Sequence, residues 1–486
     1  MTDSINELNP VNVWNYFREI LKIPRPSGKE EKIRKWVIDW AKSNGFENLK
    51  DDAGNVVIKI PASGGRESSP VVVLQSHMDM VCEKNEDVNF NFEKDPIEVV
   101  IDGEWLKTKG TSMGADNGIG MAVAMAIATD NQVVRGPLEI LFTVDEETGL
   151  TGAFKLSANL LQGKMMLNLD SEEEGTFFVG CAGGGESRIK FPLTWAKPVK
   201  GRKILKIKLT GMIGGHSGLN IHENRANAIK VATRILTAAR NGGIQYDLVS
   251  IEGGDKHNAI PRECSFEILL KDEETEKFTN LLEEWKNIVA KEYGKTDPEF
   301  RFEISEIKKR QSSCITRKCR DKLLALLYSI PHGVIAMSRD IPGLVETSNN
   351  LASIRMSKKF ALIVTSSRSS VASALVSTRE AITEICNLAG AQIEQPPSYP
   401  GWQPDMESKL LATAKNVYSA IFGKPPHITA VHAGLECGIV GEKYPGMEML
   451  SIGPTLTGVH SPQEKIHIPS VEKFYTFLKE LLKALC

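Results

Sequence analysis

Apolar residues in the first third of the chain follow two alternating rhythms. In "NVWNYFREILKI" (12–23) they recur every three or four residues, the spacing of one helix face, and the run stops at the Pro24-Arg25-Pro26-Ser27-Gly28 break. "KEEKIRKWVIDWAKSNG" (29–45) repeats that rhythm, with Gly45 as its stop. Short apolar runs then take over: "NVVIKI" (55–60), "VVVLQS" (71–76), "LEILFTV" (138–144) and "KMMLNLD" (164–170) read as strands. Between them "NGIGMAVAMAIATD" (117–130) reads as a helix of small residues buried on all sides. Apolar strands alternating with helices predict an α/β domain with a mostly parallel sheet covered on both faces.

The rhythm changes near the glycine cluster "GCAGGGESRIK" (180–190). Strand, helix, two strands, a charged helix and a further strand follow: 202–212, 224–240, 248–254, 262–271, 273–294 and 300–307. This β-α-β-β-α-β order is the split βαβ layout of an α+β domain. A related order, "LASIRMS", "KKFALIVTSS" and the helix 371–390, suggests a second, similar half. The Pro-rich "EQPPSYPGWQP" (394–404) then returns to helix-then-strand alternation. The expected organisation is one domain of residues 1–185 and 397–486, with a second, 186–396, inserted into it.

Composition narrows the partners. A chain of 486 residues with 41% hydrophobic and 25% charged residues is ordinary for a soluble globular protein, and a net charge of −2 argues against nucleic-acid or anionic-membrane binding. "MTDSINELNPVNVWNYF" is polar where an export signal would be apolar, and no apolar run is long enough to span a membrane. Eight scattered cysteines without a CxxC pair suit reduced thiols in the cytoplasm, with "CITRKC" (314–319) structural or on the surface. Partners are therefore small molecules or a second copy of the chain.

The strand ends change the picture most. Residues i and i+2 of a strand share a face, so His77 and Asp79 in "LQSHMDMV" look into one space. Asp116 sits in the Gly-rich turn "GTSMGADNGIG", Glu146 and Glu147 follow "LEILFTV", and Asp170 ends "LNLD". Ligands of open α/β sheets bind at the carboxyl ends of strands. Carboxylates gathered there repel unless a cation lies between them. His460, after the strand "MEMLSIG", offers a further imidazole, and His467 competes with it from an apolar-alternating stretch that suits packing. Imidazole and carboxylate donors without thiolate suit Zn²⁺, Co²⁺ or Mn²⁺ in a hydrolytic site.

Taken in order, "SHMDMV", "GADNGIG", "DEETGLTGA", "LNLD" and "GVHSPQE" resemble the metal-site motifs of the M20 family of dizinc peptidases, and "GMIGGHSG" and "HNAIP" resemble that family's lid domain. The resemblance implies that the first domain is catalytic and the insert is a lid and dimerisation domain. It implies two Zn²⁺ per subunit, with Asp116 bridging and His77, Asp170, Glu147 and His460 as terminal ligands; how the terminal ligands divide between the ions stays open. Glu172 is an alternative to Asp170, although strand register favours the latter. Glu146 is implied as general base and Asp79 as the support that orients His77. In the insert, His216 is implied as an oxyanion donor, Asn258 as a substrate contact and Arg368 as the group that binds a free carboxylate. His432 and Glu436 in "HAGLECG" could touch substrate or pack. A cis peptide between Asp116 and Asn117 is also implied. The activity implied is hydrolysis of unblocked dipeptides, Xaa-His among them, the alternative being an N-acyl-amino-acid amidohydrolase. A homodimer formed through the lid is expected.

Overall fold

The structure, a computed structural model, describes Ile5, residues 7–308 and residues 313–486. Met1–Ser4 and Asn6 of the polar N-terminal stretch lie outside the described residues. The chain forms two compact units: Met1–Cys181, Trp402–Ala430 and Leu435–Cys486 make the first, and Ala182–Gly401 with Val431–Gly434 the second.

The first unit is built on an eight-stranded sheet. Its four central strands, Leu138–Thr143, Val72–His77, Met165–Asn168 and Glu448–Ser451, run parallel and adjacent in that order. Antiparallel strands flank them: Val56–Ile60 and Glu47–Lys50 on one side, Thr176–Cys181 on the other. Val72–His77 and Leu138–Thr143 are buried along their whole length, which is why their sequences read as continuous apolar runs. The helix Ala115–Thr129 is buried on nearly every side. Its glycines admit neighbours that a side chain would exclude: a Cβ on Gly118 would lie 3.3 Å from Phe17 and 3.4 Å from Ile20 of the helix Val11–Leu21. Truncating either apolar partner to Ala opens a cavity costing about 2–5 kcal/mol. The Asp116–Asn117 peptide is cis. In a smaller antiparallel sheet, Leu456–Thr457 pairs with Lys465–His467, so residues 458–464 form the hairpin loop that carries His460.

The second unit holds a nine-stranded antiparallel sheet with the split layout present twice. Lys203–Thr210, Ala228–Asn241, Tyr246–Gly253, Cys264–Leu270, Asp272–Tyr293 and Arg301–Ile307 form one β-α-β-β-α-β set, its strands ordered fourth, first, third, second. Gly183–Pro192, Arg317–Ser329, Val345–Met356, Phe360–Ser369, Ala372–Ala389 and Gln392–Glu394 form the other, with the same order running the opposite way. Their second strands meet at Gly253 and Ile354, making one continuous sheet. The first set is thus threaded between the first strand and first helix of the second.

All eight cysteines are free, and Cys314 and Cys319 are both buried, so the close pair is structural. Among the described residues no helix is long and apolar enough to cross a membrane.

Candidate active site

The central strands deliver their functional residues to one edge. His77 ends its strand, and Asp170 follows Met165–Asn168 by two residues. Glu146 and Glu147 occupy the turn after Leu138–Thr143, where Asp145 has a positive φ of 51°. Asp116 is held in non-helical geometry at the start of the Ala115–Thr129 helix. Asn117 beside it donates to the Leu169 carbonyl (3.1 Å) and to Asp170 Oδ1, fixing the Asp170 carboxylate. Gly120 makes that possible, because a Cβ there would sit 2.0 Å from Asn117 Oδ1.

The side chains converge in two groups that share one residue. His77 Nε2 lies 2.9 Å from Asp116 Oδ1 and 3.4 Å from Asp170 Oδ1. His460 Nε2 lies 3.1 Å from Asp116 Oδ2 and 2.9 Å from Glu147 Oε2. Each Asp116 oxygen therefore faces a different set: His77 with Asp170, and His460 with Glu147. Both sets have donor atoms within 4.8 Å of one another, a spacing one ion can span. Glu147 Oε1 is buried without a hydrogen-bond partner, which suits a donor to a cation. Glu172 joins neither group, whereas Glu146 lies within reach of His77 and Glu147.

Asp79 lies beside His77, as expected of a residue that orients it, and also carries shorter bonds elsewhere. Its Oδ1 is 3.4 Å from His77 Nδ1, long for a hydrogen bond, and that nitrogen has no well-formed partner. The better bonds come to Asp79 from Ser27 Oγ (2.8 Å) and from the backbone N–H groups of Glu146 (3.0 Å) and Glu147 (3.2 Å). Its carboxylate thus anchors the turn that presents the glutamate pair. Glu30, Asp79 and Asp145 form another acidic group, but Glu30 accepts the N–H groups of Gly28 and Asp145, and these bonds account for the cluster.

Electrostatics follow the crowding. Burial pushes the Asp170 carboxyl up to about 6, with His77 opposing and Asp116 reinforcing the shift. Burial raises Glu146 well above the ordinary carboxylate range, His77 opposing and Asp170, Glu436 and Glu147 adding to it. Hydrogen bonds to Asp116 and Glu147 raise His460 to about 11. Burial would raise Asp79, yet His77, the Glu146 N–H and Ser27 hold it at about 2.

His467 packs against Trp105, with ring centroids 5.0 Å apart and the rings tilted by 54°, and belongs to no donor group. Glu436 is buried, accepting from Gln75 (2.6 Å) and Thr143 (2.7 Å).

The remaining predicted residues lie in the second unit. His216 Nδ1 accepts the backbone N–H groups of Gly218 (3.2 Å) and Leu219 (3.1 Å), so in the neutral ring the proton resides on Nε2. Burial, then Arg368 and His257, lower its pKa to about 4. Asp297 braces both ends of its loop, accepting from Ile213 and Ala226 at 2.8 Å each. The Asn258 carbonyl accepts the Ser217 N–H (2.8 Å), which puts Asn258 beside that loop. Arg368 is buried, donates to Tyr399 Oη (2.8 Å), makes no ion pair among the described residues and leaves its Nε unpartnered. Gly218 draws the parts together: a Cβ there would lie 2.2 Å from the His432 carbonyl oxygen, 3.2 Å from His216 Cε1 and 3.3 Å from Arg368 Nε.

His432, buried against Ser348 Oγ at 2.7 Å, has its pKa lowered to about 3 by burial and then by Arg368. A histidine of depressed folded pKa binds its proton in the unfolded chain first, near 6.5. His216 and His432 therefore favour unfolding as pH falls from about 6.5 towards 4, and contribute nothing above that window. Thermal unfolding followed across pH 7 to 4.5 should fall less steeply in His432→Gln than in the parent protein.

Comparison with known proteins is consistent with this arrangement. The profile of peptidase family M20/M25/M40 matches residues 73–484. The cytosol non-specific dipeptidase of Escherichia coli (strain K12) is 40% identical over 479 residues, covering 99% of this chain and 98% of that protein. The crystal structure of aminoacylhistidine dipeptidase from Vibrio alginolyticus is also 40% identical, with a TM-score of 0.92 over 99% of this chain and 98% of that one. The aminopeptidase PepT from Bacillus cereus ATCC 10987, 16% identical with a TM-score of 0.57 over 98% of this chain and 99% of that one, shares the fold alone.

Proposed function

The chain belongs to peptidase family M20/M25/M40, and from that membership we propose an assignment of roles to its residues. It is a metallopeptidase that hydrolyses dipeptides. The proposed substrates are unblocked dipeptides, Xaa-His among them. The observation that carries the proposal is the division of the two Asp116 oxygens between separate donor sets.

In this reading His77, Asp116 and Asp170 would hold one divalent ion, and Asp116, Glu147 and His460 the other. The donors are imidazole and carboxylate without thiolate, which suits zinc, with Co²⁺ or Mn²⁺ as substitutes. Ions held there would supply Lewis acidity towards the scissile carbonyl and a more acidic water. Glu146 accepts the water proton on a carboxylate oxygen as the new C–O bond forms, and returns it to the leaving nitrogen as the oxyanion collapses and the amide C–N bond breaks. Asp79 holds the Glu146-Glu147 turn by its two N–H groups, keeping one carboxylate for metal and the other for the proton.

The first unit is assigned the catalytic part and the second the lid. His216 donates its Nε2–H to the developing oxyanion as a neutral imidazole, and Asn258 contacts substrate beside it. Arg368 binds the free C-terminal carboxylate, a role supported by its burial without an ion-pair partner. Arg368→Met should raise KM for Ala-His by about 10-fold or more, the loss of a charge-assisted hydrogen bond, with a smaller change in kcat.

The protein is further proposed to be a cytoplasmic homodimer, in keeping with its free thiols. The edge strand Gly333–Met337 exposes Val334, Ile335 and Met337 for pairing with a second copy. A monomeric mass for the active protein in sedimentation equilibrium would sink the dimer.

The direct test is hydrolysis of Ala-His beside its N-acetylated copy, before and after chelation and zinc return. Cleavage of the free dipeptide alone, lost on chelation and restored by zinc, is the expected result. Cleavage of only the acetylated copy would make the protein an N-acyl-amino-acid amidohydrolase.

A further inference from the structure

Two buried charges beneath the candidate metal centre have no part in the roles assigned above. Glu464 is 2% exposed, and its carboxylate accepts four consecutive backbone N–H groups. Met113 (2.6 Å) and Gly114 (2.9 Å) donate to Oε2, and Ala115 (2.7 Å) and Asp116 (3.3 Å) to Oε1. These groups open the Ala115–Thr129 helix, where a carboxylate is favoured by unpaired N–H donors and by the helix dipole. Arg25 is 1% exposed, and its guanidinium donates to the carbonyls of Met78 (3.0 Å), Asp79 (2.8 Å) and Gly114.

The glycines of the "GADNGIG" turn are shaped to this arginine. A Cβ on Gly114 would lie 2.5 Å from Arg25 Nη2, and one on Gly118 2.6 Å from the same nitrogen. Arg25 thus joins the segment after His77 to the turn that bears Asp116. Glu464 joins that turn to the hairpin loop that bears His460, four residues before it. Three of the ligand-bearing segments are tied by two side chains that belong to neither donor set.

We propose that Glu464 and Arg25 are positioning residues for metal binding: together they fix the Asp116 backbone so that its two carboxylate oxygens face the two donor sets. The inference rests on the metal-site reading above. A buried carboxylate and guanidinium are costly to bring out of water unless their hydrogen bonds are satisfied, and here each is satisfied by backbone groups of the ligand-bearing segments. Outer partners that orient metal ligands are typically worth about 10–100-fold in metal affinity. Glu464→Gln keeps shape but offers one acceptor oxygen and an NH₂ group facing four N–H donors. Arg25→Lys keeps charge but loses the planar fork that spans three carbonyls.

The test is the Zn²⁺ dissociation constant of full-length protein, measured by competition with a chromophoric chelator, with circular dichroism to verify folding. Folded Glu464→Gln and Arg25→Lys should each bind Zn²⁺ about 10-fold more weakly or worse, and excess Zn²⁺ should restore most of kcat with KM for Ala-His unchanged. Hydrogen exchange on the metal-free parent protein needs no variant: the amides of residues 113–116 should be protected in the absence of metal. Zn²⁺ affinity within twofold of the parent in both variants would overturn the proposal, as would loop-like exchange of those four amides. These readouts do not depend on peptidase activity. An inactive parent that binds Zn²⁺ tightly, with the variants weakened, would sink the peptidase reading and leave this one standing.

Discussion

Glu146→Gln should lower kcat for Ala-His by about 10²–10⁴-fold while leaving two ions bound and KM little changed. The substitution keeps the volume of the side chain and the backbone N–H that donates to Asp79, so the Glu147 ligand stays in place. What it removes is the carboxylate oxygen that, in the proposed mechanism, takes the proton from the attacking water. Burial pushes this carboxyl up from the ordinary carboxylate range, with His77 opposing and Asp170, Glu436 and Glu147 adding to the shift, a direction that favours taking up a proton. A carboxylate near 4 would accept the proton poorly at neutral pH. Steady-state kinetics beside elemental analysis of the dialysed protein would check it. Loss of an ion in Glu146→Gln would instead mark Glu146 as a ligand, a role its nearness to His77 and Glu147 leaves chemically open.

Most of the architecture was legible where burial is strong on both faces. "VVVLQS", "LEILFTV" and the small-residue helix declare themselves because apolar and small residues dominate them on both faces. The strand Gly183–Pro192 did not, because its glycines are demanded by close approach and not by a turn. A Cβ on Gly183 would lie 2.5 Å from the Gly401 nitrogen, and one on Gly184 2.4 Å from Tyr399 Oη. Missing that strand and the helix Arg317–Ser329 hid the second split set, so the doubling of the inserted unit was only half visible.

The candidate site divides the same way. His77, Glu146, Glu147 and Asp170 can be read from sequence because they follow apolar strands, Asp116 because it stands in a Gly-rich turn before a buried helix, and His460 because it follows the strand Glu448–Ser451. Which oxygen of Asp116 faces which imidazole cannot, since it depends on closing loops 39 and 344 residues apart. Nor can the partners of Asp79, whose bonds to Glu146 and Glu147 span 67 and 68 residues. Glu464 stands inside the quoted "GVHSPQE" motif, yet its role depends on four backbone N–H groups that a one-dimensional pattern does not display.

Asp116→Ala should release both ions together, where Asp170→Asn or Glu147→Gln should weaken one. The asymmetry follows from sharing. Asp116 is the only residue common to the two donor sets, and its carboxylate lies 2.9 Å from His77 and 3.1 Å from His460. Its removal leaves each set one imidazole and one carboxylate, and takes away the anion that offsets repulsion between two neighbouring dications. Losing the ions removes several kcal/mol of transition-state stabilisation, so activity should fall by about 10³-fold or more. Metal content measured after dialysis against buffer with micromolar zinc distinguishes the cases. The expected values are near zero for Asp116→Ala, between one and two for the single-set variants, and two for the parent. One ion retained at full affinity in Asp116→Ala would show that the two sets are independent, and the carboxylate would then be an ordinary terminal ligand of a single site.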